Sequence, residues 1–137
     1  MSESAHFSAA ITELPEMLLW VRNHLIHAKI ESEPRRKMEL AAEEAIVNVI
    51  HHAYRRRGGP IELIFKHSPT KIELSIVDQG RSFDPCHGPQ PDLTSPLEER
   101  QEGNLGLFLM RACVDDLHYK RKNGTNILTL VKKLTSS

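Results

Sequence analysis

The stretch KIELSIVDQGRSFD, residues 71–84, decides the fold of this chain. Its first half alternates, with Ile72, Leu74 and Ile76 on one face and polar side chains on the other, which predicts a β-strand that has one buried face. Asp78 then stands at the exit of the strand, where its carboxylate is free to accept hydrogen bonds, and Gly80 lets the backbone approach a flat ligand closely. A nucleotide pocket typically begins in this way.

Composition indicates one domain that carries no bulk charge. The chain has 137 residues, of which 39% are hydrophobic, so it is long enough to bury the core of a single domain. Its 18 Lys and Arg residues balance 18 Asp and Glu residues, which disfavours nucleic acid or an anionic membrane as the partner. The local basic run Arg55–Arg57 is typical of a solvated helix end, where cations suit the helix dipole.

The cysteines and histidines do not form a recognisable metal or redox motif. Cys86 and Cys113 lie far apart in unrelated contexts, so neither a CxxC pair nor a zinc knuckle is present. His51 and His52 are adjacent, but neighbouring helix positions point in different directions and no third ligand is evident. The first residues contain no apolar signal segment, and no apolar run reaches membrane-spanning length. We therefore expect reduced thiols and a cytoplasmic location.

Periodicity along the chain predicts five strands and three helices. The predicted strands cover residues 7–11, 61–66, 71–78, 118–122 and 125–133. The first helix begins near residues 12–15, and the second begins at Ser32 as its N-cap and stops before Gly58. A third helix is predicted over residues 105–117. The turns Ser68-Pro69-Thr70 and Asn123-Gly124 join the strands into two hairpins.

A long irregular segment follows the strand that ends at Asp78. Between Arg81 and Glu102 the sequence contains four prolines, one glycine and few large apolar residues. A connection longer than roughly 15 residues without regular structure is usually a lid, a binding loop or a disordered insert. The segment is therefore a candidate lid.

Glu44 and Asn48 stand four residues apart on the second predicted helix, so they share one face. The asparagine carbonyl is a hard-oxygen ligand that suits Mg²⁺, and the carboxylate could accept a proton from a hydroxyl or water that attacks phosphorus. By itself the pair is weak evidence for a catalytic site, because such pairs are common on solvated helix faces. The motif Gly103-Asn104-Leu105-Gly106 before the third helix could hold phosphate on its backbone N–H groups, although two glycines more often permit a tight turn.

The succession of these motifs is more specific than any one of them. A Glu-x-x-x-Asn helix, a strand that ends in Asp-x-Gly, a long lid, a glycine-rich helix start and a Gly-Thr hairpin follow one another, and this order resembles the GHKL ATP-binding superfamily with its Bergerat fold. Within it, EAIVNVIHHAY at residues 44–54 and GNLGLFLM at residues 103–110 are similar to the anti-sigma-factor serine/threonine kinases of bacterial partner-switching systems. The resemblance covers nearly the whole chain.

The resemblance implies a role for each motif residue. Asn48 corresponds to the family's Mg²⁺ ligand, and Glu44 corresponds to the carboxylate that activates the serine hydroxyl of a protein substrate. Asp78 corresponds to the residue that receives the adenine amino group. Gly80 would give the base room, and Thr125 would help to fix the adenine through its hydroxyl and a water.

The loops supply the remaining implied positions. Residues 81–102 would form the ATP lid, and the phosphates would lie against Gly103, Asn104, Leu105 and Gly106. Phe83 is interpreted as an apolar plug beside the pocket. Family members often carry glycine in place of Asn104, and asparagine is the other residue that best tolerates positive φ. Arg81 and Arg100 are both candidates for a phosphate contact, and their spacing does not choose between them.

The resemblance further implies the fold and the activity. We expect a single domain over residues 1–137, an α/β two-layer sandwich with a mixed, largely antiparallel sheet covered on one face by helices. The implied function is that of an ATP- and Mg²⁺-dependent serine kinase that phosphorylates a STAS-type anti-anti-sigma protein, sequesters a sigma factor and forms a homodimer. The alternative is an inactive ATP-binding module that only binds protein partners. A histidine-kinase fragment is disfavoured because no dimerisation helix with a phosphoacceptor histidine precedes the domain.

Overall fold

Within residues 2–82 and 104–134, which are the residues that the structure describes, the computed structural model contains one sheet of five strands. For Asn104 and Leu105 the backbone alone is described. The strands are β1 (Ser2–Ser8), β2 (Pro60–His67), β3 (Lys71–Asp78), β4 (Asp116–Lys122) and β5 (Thr125–Lys133). They lie in the order β1-β2-β3-β5-β4, and each neighbouring pair is antiparallel.

Helices form the second layer. A short 3₁₀ turn at Ile11–Glu13 leads into α1 (Leu14–His27), and α2 (Ser32–Asn48) continues into a π-helical turn at Val49–Ala53. The third helix, α3 (Asn104–Cys113), packs beside α2. α2 lies between α1 and α3 and also contacts β3 and β5.

The core lies between the two layers. In β2, β3 and β5 alternate residues are buried, as the alternation predicts, and the helices bury their apolar stripes against them in the same cluster. The largest fully buried side chains are those of Phe65, Met17, Leu25, Met38, Ile46, Ile61, Leu63, Ile72, Leu74, Ile76, Met110 and Leu130. The two-layer α/β sandwich expected from the sequence is therefore confirmed.

Some predicted boundaries are wrong. The first strand was expected at residues 7–11, but β1 spans Ser2–Ser8, because its polar N-terminal half pairs with β2 as an edge strand. Ser32 is the first residue of α2 and Glu31 is its N-cap, with no hydrogen bond from the cap side chain. The sheet is wholly antiparallel in the described residues rather than mixed, since β5 enters between β3 and β4.

The second and third helices also end earlier than predicted. The regular α-helix of α2 stops at Asn48, and the remaining turn before Gly58 is π-helical. The predicted helix over residues 105–117 ends at Cys113, because Leu117 joins β4 and pairs with Leu130. Both predicted hairpins are confirmed. Residues 83–102 of the candidate lid lie outside the described residues.

In the part of the chain that the structure describes, no helix is long and apolar enough to cross a membrane.

Candidate functional site

A small cavity lies where α2, α3 and the ends of β3 and β5 meet. It has a volume of about 10 Å³, room for about one water, and its lining includes Asn48, Val49, Asp78, Tyr119 and Asn126. Two of the residues singled out in the sequence, Asn48 and Asp78, are therefore brought to one cavity although they lie on different elements. A wider groove at the other end of β3, near Pro69, contains none of the predicted site residues.

Asp78 is the buried acid of this cavity. It is the last residue of β3, and only 4% of it is exposed. Its Oδ1 accepts hydrogen bonds from the Gly80 backbone N–H and from the Asn126 Nδ2, each at 2.8 Å. No hydrogen bond to Oδ2 is made by the described residues. One carboxylate oxygen is thus held by the protein, and the other is available to a ligand.

Burial raises the pKa of Asp78, because the charged form loses its hydration. The hydrogen bonds from Asn126 and Gly80 and the nearby Arg121 oppose this effect without cancelling it. Perturbed carboxyl groups of this kind cluster at functional sites.

Gly80 is needed because the chain after β3 lies directly against the π-helical turn. A Cβ at Gly80 would collide with the Ala53 carbonyl oxygen and would lie 2.6 Å from its carbonyl carbon. The Arg81 N–H donates to that same carbonyl oxygen at 2.9 Å, and Arg81 Nε donates to the His52 carbonyl at 2.7 Å. The exit of β3 is therefore fixed to the end of the second helix. The Nε of Arg81, one candidate for a phosphate contact, is thus engaged in a hydrogen bond to the His52 carbonyl. The other candidate, Arg100, lies outside the described residues.

Tyr54, the last residue of the EAIVNVIHHAY motif, has a structural role. Its hydroxyl donates to the Pro60 carbonyl at 2.5 Å and accepts from the Gln79 N–H at 2.7 Å. These two bonds join the beginning of β2 to the residue that follows Asp78. Burial raises the pKa of Tyr54, so the hydroxyl stays protonated and keeps the proton that it donates.

Asn48 is buried, with 6% of it exposed, and its Nδ2 has no hydrogen-bond partner. A buried amide without a partner costs free energy, so it usually marks a position where a ligand completes the site. The carboxamide is a suitable single protein ligand for Mg²⁺, which commonly takes its other ligands from phosphates and water. Within residues 2–82 and 104–134, no group of three or more His, Cys, Asp or Glu residues could hold a metal ion alone. The residues present thus fit Mg²⁺ only together with a phosphate ligand.

Glu44 and the beginning of α3 are in contact. A Cβ added to Gly106 would collide with Glu44 Oε2 and would lie 3.5 Å from the Glu44 Cδ. The carboxylate therefore lies against the backbone of the first turn of α3. Burial, and secondarily the neighbouring Glu43 carboxylate, raise the pKa of Glu44. A carboxylate with a raised pKa is a better proton acceptor than a fully hydrated one.

The other predicted positions are placed less directly. Asn104 and Leu105 are the first backbone residues of α3, whereas Phe83 and Gly103 lie outside the described residues. Thr125 begins β5 but pairs with Lys122, and the next residue, Asn126, is the one opposite Asp78. Because side chains alternate along a strand, the Thr125 hydroxyl lies on the face away from Asp78.

Sequence reasoning missed Asn126, Tyr119 and Arg121. Asn126 is only 3% exposed and is in phase with buried Leu128 and Leu130, so a polar residue at an inward strand position was the available signal. Both other residues lie on β4 and donate hydrogen bonds to Asn126 Oδ1, the Tyr119 hydroxyl at 2.5 Å and Arg121 Nη1 at 2.8 Å. Nothing in the spacing of the β4 sequence marks them.

Comparisons with known proteins find one matching family model and similar kinases. The family model described as the histidine kinase-like ATPase domain matches residues 7–132. The chain is 30% identical over 131 residues to the serine/threonine-protein kinase BtrW of Bordetella bronchiseptica, covering 94% of this chain and 92% of the relative. It is 32% identical over 96 residues to the serine-protein kinase RsbW of Bacillus thuringiensis, covering 66% of this chain and 59% of the relative.

A solved structure supports the fold. The chain is similar to the crystal structure of the RsbU and RsbW domains of Rv1364c from Mycobacterium tuberculosis, with a TM-score of 0.67 and 16% identity. The match covers 98% of this chain and 33% of that chain. At this identity the likeness shows the fold alone. The resemblance drawn from the motifs is thus confirmed by the family model and the relatives, and the chain belongs to the histidine kinase-like ATPase domain family.

Proposed function

We propose that this chain is an ATP-dependent serine protein kinase of a partner-switching pathway. It would phosphorylate a STAS-type anti-anti-sigma protein and would sequester a sigma factor when that antagonist is absent or phosphorylated. The observation that carries the proposal is the contact between Glu44 and Gly106, together with the cavity that Asn48 of the same helix lines with Asp78. The names of the relatives, serine/threonine-protein kinase and serine-protein kinase, point to the same activity.

The base of the nucleotide would bind at the end of β3. The Oδ2 of Asp78 can accept a hydrogen bond from an exocyclic amine, while Oδ1 stays bonded to Gly80 and Asn126. The absence of a side chain at Gly80 keeps the strand exit against Ala53, so the wall of the pocket is rigid. A fixed acceptor of this kind positions the nucleotide before the phosphates are engaged.

The phosphates would lie between α2 and the beginning of α3. The first turn of α3 carries backbone N–H groups without helical partners, which suit an anion. A Mg²⁺ ion held through the Asn48 carboxamide would offset the negative charge of the phosphates. A phosphate oxygen that accepts from Asn48 Nδ2 would account for that unpartnered donor, while Mg²⁺ would be held by the Oδ1 oxygen.

Glu44 would orient the incoming serine and take its proton. As the serine oxygen forms its bond to the γ-phosphorus, the bond from that phosphorus to the β,γ-bridging oxygen breaks, and the serine proton passes to the Glu44 carboxylate. The contact with Gly106 keeps the carboxylate beside the helix start at which the phosphates would bind. Most of the acceleration comes from this positioning, because in-line phosphoryl transfer needs little covalent help.

The test is phosphate transfer from labelled ATP with Mg²⁺ to STAS-domain proteins encoded in the same genome. We expect one serine to be labelled, and we expect Glu44→Ala to reduce the rate by about 10²- to 10⁴-fold. Asn48→Ala should abolish the Mg²⁺-dependent transfer. Glu33→Ala is the matched control, since Glu33 lies on the same helix but pairs with Lys37 on the surface. Its rate should equal that of the unmodified protein.

Each outcome separates the two candidate functions. ATP binding without transfer to any STAS protein would favour a module that only binds partners. Unchanged transfer by Glu44→Ala would remove the catalytic role of that residue. The sigma-factor complex, the homodimer and the cytoplasmic location are parts of the same proposal, and sedimentation of the chain with and without candidate partners tests the first two.

A further inference from the structure

We propose that Asn126 is a positioning residue that makes the pocket selective for a 6-aminopurine over a 6-oxopurine. The inference rests on the proposed function to the extent that the base of a nucleotide binds beside Asp78. It assigns a role to a residue whose side chain is buried, fully hydrogen-bonded and outside the set of motif residues.

The first step is what Asn126 donates. Its Nδ2 donates to Asp78 Oδ1 at 2.8 Å and to the Arg81 carbonyl at 2.9 Å. The Gly80 N–H donates to the same Oδ1 at 2.8 Å. Two protein donors therefore occupy one oxygen of the carboxylate, and the described residues leave Oδ2 as the acceptor that faces no protein donor.

The second step is what Asn126 accepts. Its Oδ1 receives hydrogen bonds from the Tyr119 hydroxyl at 2.5 Å and from Arg121 Nη1 at 2.8 Å. A flipped carboxamide would point its NH₂ group at the Arg121 guanidinium and its oxygen at the Asp78 carboxylate. The surroundings thus determine the orientation of the amide, because donors lie on one side of it and acceptors on the other.

The consequence is a carboxylate that is fixed in place, with Oδ1 occupied by two donors and Oδ2 left as the open acceptor. Hydrogen bonds donated to a carboxylate favour its ionised form, and an ionised carboxylate has no proton to donate. A 6-aminopurine offers a donor to Oδ2, whereas a 6-oxopurine offers only an acceptor at that position. A buried hydrogen-bond acceptor disfavours a ligand that offers no donor, because Asp78 Oδ2 and the 6-oxo oxygen of the purine would both stay without a hydrogen bond.

The experiment measures the affinities for ADP and GDP, with Mg²⁺, by titration calorimetry. ADP and GDP share the ribose and phosphates, so a general loss of structure lowers both affinities and leaves their ratio unchanged. For Asn126→Leu we expect the ADP preference over GDP to fall by about 10- to 100-fold. The control is Thr129→Val on the same strand, whose lost hydrogen bond to Ser75 lies on the other face of the sheet. The ratio of ADP affinity to GDP affinity in Thr129→Val should equal that of the unmodified protein.

A second variant keeps the proposal falsifiable if Asn126→Leu does not fold. Arg121→Met removes one donor to the Asn126 carbonyl from an exposed position on β4, so the fold should persist. It should lower the ADP preference by about threefold or more. An unchanged ratio in a folded Asn126→Leu protein, or in Arg121→Met when the former is unfolded, overturns the inference and leaves the kinase proposal intact. Binding of neither nucleotide by the unmodified chain overturns both.

Discussion

Replacement of Gly80 by alanine tests the contact that positions Asp78. The new Cβ would lie 2.6 Å from the carbonyl carbon of Ala53 and 2.9 Å from its Cβ, and it would collide with the carbonyl oxygen. These neighbours are backbone or are fixed to it, so no side-chain rotation relieves the overlap. The segment after β3 has to move away from the π-helical turn, and Asp78 has to move with it.

The magnitude follows from two terms. Overpacking against a rigid neighbour costs about 1–3 kcal/mol of unfolding free energy. The displacement also weakens the Arg81 N–H bond to Ala53 and the Gly80 N–H bond to Asp78, each worth about 1 kcal/mol. We expect a total loss of about 2–4 kcal/mol, with ADP affinity reduced at least tenfold, because the loss includes a bond to the base-binding carboxylate.

Urea unfolding and ADP titration calorimetry of the same protein provide the assay. Gly58→Ala is the control: Gly58 has φ +80° but no atom within 4 Å of an added Cβ, so the variant should lose about 1–2 kcal/mol from backbone strain alone. Its ADP affinity should be unchanged. If Gly80→Ala unfolds within about 0.5 kcal/mol of the unmodified protein and still binds ADP normally, the steric reasoning is refuted.

Three further predictions concern Glu44 and Asn48. Gly106→Ala should cost under about 1 kcal/mol of stability, because a carboxylate can rotate away, but it should lower the rate of transfer at least tenfold by displacing Glu44; unfolding and kinase assays of one preparation check both. Burial, and secondarily Glu43, raise the pKa of Glu44, so the rate of transfer should fall as the pH drops through that raised pKa. In Glu43→Gln the fall in rate should occur at lower pH. If the pH at which the rate falls is unchanged, Glu43 has no effect on the pKa of Glu44. Asn48→Leu should raise the unfolding free energy of the nucleotide-free protein by about 1 kcal/mol while abolishing transfer, and a destabilised Asn48→Leu protein would contradict the assignment of Asn48 as an unpartnered buried amide.

Strands with one buried face were predictable because burial imposes a period of two. β3 spans the predicted residues Lys71–Asp78, and its inward residues Ile72, Leu74 and Ile76 are fully buried. The edge strand β1 was misplaced because half-buried Ala5 and Phe7 are its main inward apolar residues, and its position depends on pairing with β2. Local pattern fails where a partner strand, rather than burial, decides the structure.

In the candidate site, too, some features follow from local sequence pattern and others depend on tertiary packing. The four-residue spacing of Glu44 and Asn48 puts them on one face of a helix, and the strand pattern puts Asp78 at an exit, so both follow from local periodicity. That Glu44 meets Gly106 depends on how α3 packs against α2, which no local pattern states.

Both hairpins and the order of motifs that indicates the family follow from the amino-acid sequence, because burial and turn chemistry act over a few residues, and the family resemblance in turn implied the two-layer α/β class. Which residue faces Asp78 depends instead on how distant strands pair. The register of β5 against β3 pairs Asp78 with Asn126, and a shift of one residue would have presented Thr125 instead. Register depends on the fit of a whole buried face against distant elements, and this long-range fit assembles the acceptor of the site from residues far apart in the chain.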